Sequence, residues 1–234
     1  PPAFFPEEVT FEHYRRLLTE TPFLTYLRNS VILAGGTTVL VIVVATLGAH
    51  SLVRFNYPGR ETLAGAVLFT YLLPSVVLVI PLYFLMAALG LVNSLLSLVI
   101  AYTTFALPYA LWLLRSFMSA IPADLEAAAL VDGASRFRAF IDVILPQAAP
   151  GIISTALFTA ILAWNEYLFA LVLINSDASR PLTTGVMSML VTSFNIEWSL
   201  LMAASVMMSV PLLVVFVFLQ KYLTRGFGAG AVKG

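Results

Sequence analysis

The sequence predicts an all-α, polytopic membrane protein, and three observations carry that reading. Apolar residues make up 60% of the chain and charged residues 10%, where a soluble domain carries about 25% charged residues. Two long runs, 29–53 and 62–114, contain no Asp, Glu, Lys or Arg. No ten-residue alternation of apolar and polar positions marks a β-barrel, and a backbone that must satisfy its own hydrogen bonds in lipid defaults to helix.

The first run is long enough to cross a hydrocarbon core of about 30 Å. As a single helix the second would run roughly 80 Å, so it must fold back. Gly90-Leu91-Val92-Asn93-Ser94 is the turn signal, which divides the run into spans at 62–89 and 94–114. A fourth span is expected at 151–174 and a fifth at 199–221. These five visible spans divide the chain into an extracytoplasmic segment (1–28), a transmembrane domain (29–221) and a cytoplasmic tail (222–234).

Basic residues orient the chain. Arg54, Arg60, Arg115, Arg136, Arg138, Lys221, Arg225 and Lys233 fall on one side, and Arg15, Arg16, Arg28 and Arg180 on the other. The richer side, with the loop at 115–150, is cytoplasmic. Phe11, Tyr14, Leu17 and Leu18 recur at helical spacing and predict a short helix on the outer surface. Pro74, Pro81, Pro108 and Pro211 lie inside the expected spans and predict kinks. Pro74 and Pro81 are two turns apart on one face.

The internal loop concentrates charge: Asp124, Glu126, Asp132, Arg136, Arg138 and Asp142. Pro122 suits a first helical turn, and Asp124 and Glu126 complement its positive end. Ala127, Ala128 and Ala129 are compact helix formers. Gly133 permits the left-handed residue that ends a helix. A second helical stretch at 135–143 leads to Pro146 and back into the membrane. The product is a helix-turn-helix knob whose small residues allow close approach and whose acids can meet a basic partner.

Other function classes are excluded. Net charge is zero and gives no case for nucleic acid. There is no cysteine, and His13 and His50 lie in different segments, which argues against a metal site. No glycine-rich loop ends in Gly-Lys-Ser or Gly-Lys-Thr, since Lys221 precedes tyrosine and Lys233 precedes glycine. The chain is therefore not expected to be an enzyme or to bind a cofactor.

Glu126-Ala127-Ala128, Asp132-Gly133-Ala134 and Leu145-Pro146 resemble the EAA loop of permease subunits of binding-protein-dependent ABC importers. Val143 stands where that family often has isoleucine. Trp164-Asn165-Glu166-Tyr167-Leu168-Phe169, the ending Gly230-Ala231-Val232-Lys233-Gly234, Asn29-Ser30 and Phe55-Pro58-Gly59 are similar to the carbohydrate-type, MalG-like branch. The resemblance implies a coupling helix seated in a cytoplasmic ATPase subunit, with Glu126, Ala127, Ala128, Asp132, Gly133, Ala134, Leu145 and Pro146 at the docking loop. Glu126 would form a salt bridge to the ATPase, and Lys233 and Gly234 would reach between the ATPases. It further implies ATP and Mg on two partner ATPase subunits and a homologous partner permease. An extracytoplasmic solute-binding protein and a place in a prokaryotic cytoplasmic membrane complete the picture. Because the family usually has one more span before the first seen here, a sixth N-terminal helix is expected upstream.

Glu166 is the one Asp, Glu, Lys or Arg in the interior of an expected span, Lys221 being the last residue of the fifth. A lone carboxylate there costs on the order of 3 kcal/mol on insertion scales, so it must face a polar cavity, pair with another group or be protonated. Thr155, Thr159 and Glu166 share one helical face and suggest a polar stripe. With Trp164, Asn165 and Tyr167 they form a candidate translocation pathway or gate suited to sugar hydroxyls and ring faces. Contact with substrate and contact with a neighbouring helix both remain open here. So do a permease for another polar solute (glycerol phosphate, an amino sugar, a peptide), a proton-coupled secondary transporter using Glu166, and a membrane scaffold without transport. The polar stretch 175–198 is expected either to touch the external binding protein or to be a solvated connector with a short helix at 186–194.

Overall fold

The computed structural model describes residues 10–190 and 197–228. Among these residues every regular element is a helix. A short helix α1 (Glu12–Thr19) precedes α2 (Phe23–Arg54), and α3 (Arg60–Tyr71), α4 (Ser75–Ala88) and α5 (Leu95–Ser119) follow. Then come α6 (Ala123–Val131), α7 (Arg136–Ala139), a π-helical turn (Phe140–Ile144) and α8 (Leu145–Asn165). After α9 (Leu168–Leu173) and a 3₁₀ turn (Asp177–Ser179), α10 (Leu182–Leu190) and α11 (Trp198–Gly228) close the order.

Four segments are long and apolar enough to cross a membrane: Phe23–Arg54, Leu95–Ser119, Arg136–Asn165 and Trp198–Phe218. The pair α3 and α4 is apolar enough only when taken together and is bent by 100°, the shape of a broken span or a re-entrant loop. The expected span 62–89 is thus not one helix. Proline restricts the residue before it to extended backbone, so Leu73-Pro74 ends one helix and Pro74 (φ −57°, ψ 127°) opens the next. Pro74 and Pro81 therefore do not share a face of one helix. Pro81, Pro108, Pro150 and Pro211 stay inside α4, α5, α8 and α11.

The expected span 151–174 is also corrected. The helix begins much earlier, at Arg136, and stops at Asn165. Continuity from α7 into α8 is bought by the π-helical turn. Pro146 has no N–H for the Asp142 carbonyl, and its ring would clash with that oxygen in a regular helix. Widening the preceding turn to a π form relieves both.

The longest helix, α2, lies at the centre and packs against α5 and α8, while α11 packs on α8. One buried cluster joins Val41, Ala45 and Ala49 of α2 to Ala106, Ala110, Leu114 and Met118 of α5 and Ala148 of α8. Alanine on three helices lets their backbones approach closely, the usual basis of helix association in lipid. A second cluster, built around Phe23, Tyr26, Leu98, Tyr102, Trp164 and Phe169, gathers α2, α5, α8, α9 and α10. By contrast α3 buries no residue, and α4 buries only Val79, Leu82 and Met86. Leu17 of α1 is fully buried and Phe11 is 74% exposed.

Candidate functional site: the α6–α7 knob and the break at Glu166

The sequence-predicted knob is present. Pro122 caps α6 in extended backbone instead of entering its first turn. Gly133 has φ +90°, its N–H bonds to the Leu130 carbonyl at 3.1 Å, and the Ala134 N–H bonds to the Ala129 carbonyl at 3.0 Å. This is a Schellman ending, which needs a left-handed residue at Gly133. The Ser135 side chain then accepts from the Arg138 N–H and starts α7.

Ala127, Ala128, Asp132 and Gly133 are exposed and Ala134 is half-buried. Around them Leu125, Leu130, Val131, Phe137 and Ile141 also face outward, Val131 at 87% and Phe137 at 72%. Pro146 is exposed and Leu145 half-buried where the chain re-enters the bundle.

Glu126 departs from expectation. Its carboxylate turns inward, and the residue is only 8% exposed. Oε2 lies 3.2 Å from Arg54 Nε and Oε1 lies 4.0 Å from His50 Nε2. The group expected to reach an ATPase is engaged by α2 instead. Sequence reading missed Arg54 and His50; the available signal was their spacing of four residues, one face of a helix, at the end of an apolar run.

The second region is the end of α8. Thr155 and Thr159 are buried, and each hydroxyl donates to a carbonyl of its own helix, Gly151 at 2.8 Å and Thr155 at 2.9 Å. They form no open polar stripe. The helix ends before Glu166, whose φ −68° and ψ 133° are extended, so Glu166 does not continue their face. Trp164 is buried; Asn165 is exposed and donates to the Ile161 carbonyl at 2.8 Å. Glu166 instead accepts from the N–H groups of Phe169 (3.0 Å) and Ala170 (3.3 Å). It caps α9, whose first amides have no intrahelical partner. Tyr167, beside it, is 39% exposed. Among the described residues no three His, Asp or Glu side chains converge on a metal position. Lys233 and Gly234 lie outside the described residues, as does the end of the helix expected at 186–194.

Residues 42–228 match the family described as the binding-protein-dependent transport system inner membrane component. The chain belongs to that family. It is a multi-pass membrane permease. Over its whole length it is 37% identical to the diacetylchitobiose uptake system permease protein DasC of Streptomyces coelicolor, 84% of which it covers. It is also 37% identical to the trehalose/maltose transport system permease protein MalG of Thermococcus litoralis, over 96% of this chain and 82% of that one. Its fold is similar to that of a bacterial ABC transporter involved in alginate import, with a TM-score of 0.80 at 24% identity, covering 94% of this chain and 81% of that one.

In the permease, polar residues at the start of α2 hold the segment that follows α9. Asn29 Nδ2 donates to the carbonyls of Ala178 (2.9 Å) and Arg180 (2.8 Å), and Ser30 Oγ accepts from the Leu182 N–H at 2.8 Å. Asn93, with φ +63°, takes three donors on Oδ1: Asn175 N–H, Ser176 N–H and Ser176 Oγ, all within 3.0 Å. Resemblance singled out Asn29-Ser30, and the turn signal contained Asn93, but neither gave their role. They pin the polar stretch 175–182 to the start of α2 and to the turn at Asn93.

Proposed function

We propose that the permease is the membrane-spanning subunit of an ATP-driven importer that moves a sugar or oligosaccharide into the cytoplasm of a prokaryote. It would sit in the cytoplasmic membrane beside a homologous permease, over two ATPase subunits and beneath an extracytoplasmic solute-binding protein. The observation that carries this reading is the knob. A short helix with exposed Ala127 and Ala128, ended at Gly133 and ringed by exposed Leu130, Val131 and Phe137, is a surface built for a protein cleft, since apolar side chains of this size seldom cluster on a free loop. Diacetylchitobiose and trehalose or maltose in the names of its relatives support a carbohydrate cargo. The unburied faces of α3 and α4 suit a second permease. Their break at Leu72-Leu73-Pro74 also needs protein or a water-filled path against it, because irregular backbone is not tolerated against lipid. The 234 residues contain no phosphate-cradling loop, in keeping with hydrolysis on the ATPase subunits of this reading.

The test uses the complex with its partner permease, ATPases and binding protein in vesicles. Ala128→Trp fills the close-approach surface, and Gly133→Pro cannot adopt φ +90°. Both are expected to abolish ATP hydrolysis stimulated by sugar-loaded binding protein while the binding protein still takes up sugar. Full stimulation in both variants refutes the reading.

A further inference from the structure

We infer that Glu126 is a positioning residue, which with Arg54 and His50 latches the α6 knob to the end of α2 so that movement of the knob is passed directly to the central helix. This rests on the knob being the element that the ATPases move. Glu126 is the single residue of α6 that is buried; Asp124 and Asp132, the other acids there, are exposed. Within α6, the contact with α2 is therefore made by one carboxylate.

The receiving site is built for it. The Arg54 and His50 side chains are 10% and 9% exposed and lie on one face of α2. Arg54 Nη2 also donates to the Ile121 carbonyl at 2.9 Å, in the short link that enters α6. The His50 ring packs on Phe140 of the π-helical turn, 4.5 Å between centroids, and on Phe55 at 5.5 Å. One cluster thus joins α2, the α5–α6 link, α6 and the start of α8. α6 otherwise packs chiefly on α7 and the π-helical turn, and no other side chain of it is buried, so the pair is its side-chain link to α2. Turning Glu126 outward to a partner would leave Arg54 a buried, unpaired charge.

The experiment compares Glu126→Gln, Arg54→Gln and the double variant in the reconstituted complex. It reads sugar moved per ATP hydrolysed and the ATPase retained on affinity purification. Each single variant is expected to keep its ATPase subunits and to lower sugar per ATP roughly tenfold, the range of a typical coupling energy. The double variant is expected to be no worse than either single, because the two residues act as one unit. Three results overturn the latch: wild-type coupling in the single variants, additive losses in the double, or a Glu126→Gln variant that sheds its ATPase while Arg54→Gln retains it. The last would make Glu126 a docking contact. Should a single variant fail to assemble, Glu126→Leu with Arg54→Leu is expected to assemble, since it strands no charge; failure of this leucine double to assemble overturns the pairing. A wild-type complex that recruits no ATPase would defeat the proposed function instead.

Discussion

Asn29 donates from Nδ2 to the Ala178 carbonyl at 2.9 Å and so ties the segment after α9 to the start of α2. Asn29 is 4% exposed, and its second bond, to the Arg180 carbonyl, uses the other amide proton. Asn29→Asp replaces the donors with a carboxylate facing two carbonyl oxygens. Asn29→Ala only leaves those oxygens unsatisfied, a loss of about 1–3 kcal/mol. Thermal unfolding of the purified complex in detergent is expected to rank wild type above Asn29→Ala, and Asn29→Ala above Asn29→Asp. An Asp variant as stable as wild type would contradict this geometry.

Asn93 is exposed, so water softens its loss. Asn93→Ala gives up an acceptor shared by three donors and places a Cβ residue at φ +63°. A destabilisation of about 1 kcal/mol is expected. Asn93→Asp, which keeps the acceptor, is expected to retain most of the wild-type melting temperature.

Glu166 caps α9, and a cap needs an acceptor more than a titrating proton. Glu166→Gln keeps one carbonyl oxygen for the Phe169 N–H and is expected to preserve most transport, with an unchanged pH profile. Glu166→Leu strands two amides and is expected to cost roughly 1–2 kcal/mol and to lower transport. A Gln variant that transports with a shifted pH dependence would restore the proton-relay reading.

Gly185 lies under the ring of Tyr26, where an added Cβ would sit 2.3 Å from the ring carbon Cδ2. Tyr26 is itself 1% exposed and cannot withdraw. Gly185→Ala is expected to destabilise the complex by about 1–3 kcal/mol through overpacking, read as a lower melting temperature. Gly151, 2.5 Å in the same sense from the Phe117 ring, is expected to behave alike.

Much of this architecture was legible in the chain itself. The uncharged runs marked the apolar segments, Gly133 gave the end of α6, and Leu73-Pro74 carried the signal for the break that a single span at 62–89 overlooked. Those features are local, because hydropathy, helix endings and proline sterics act within a turn or two of their residue. What only the tertiary structure decided is where polar side chains point. Glu126 reads as an exposed acid until Arg54 and His50, far upstream, are brought against it. Glu166 reads as part of a stripe until the helix stops at Asn165 and the carboxylate turns to the amides of α9. A buried charge settles wherever packing supplies its counter-charge or donors, and that supply comes from residues remote in sequence.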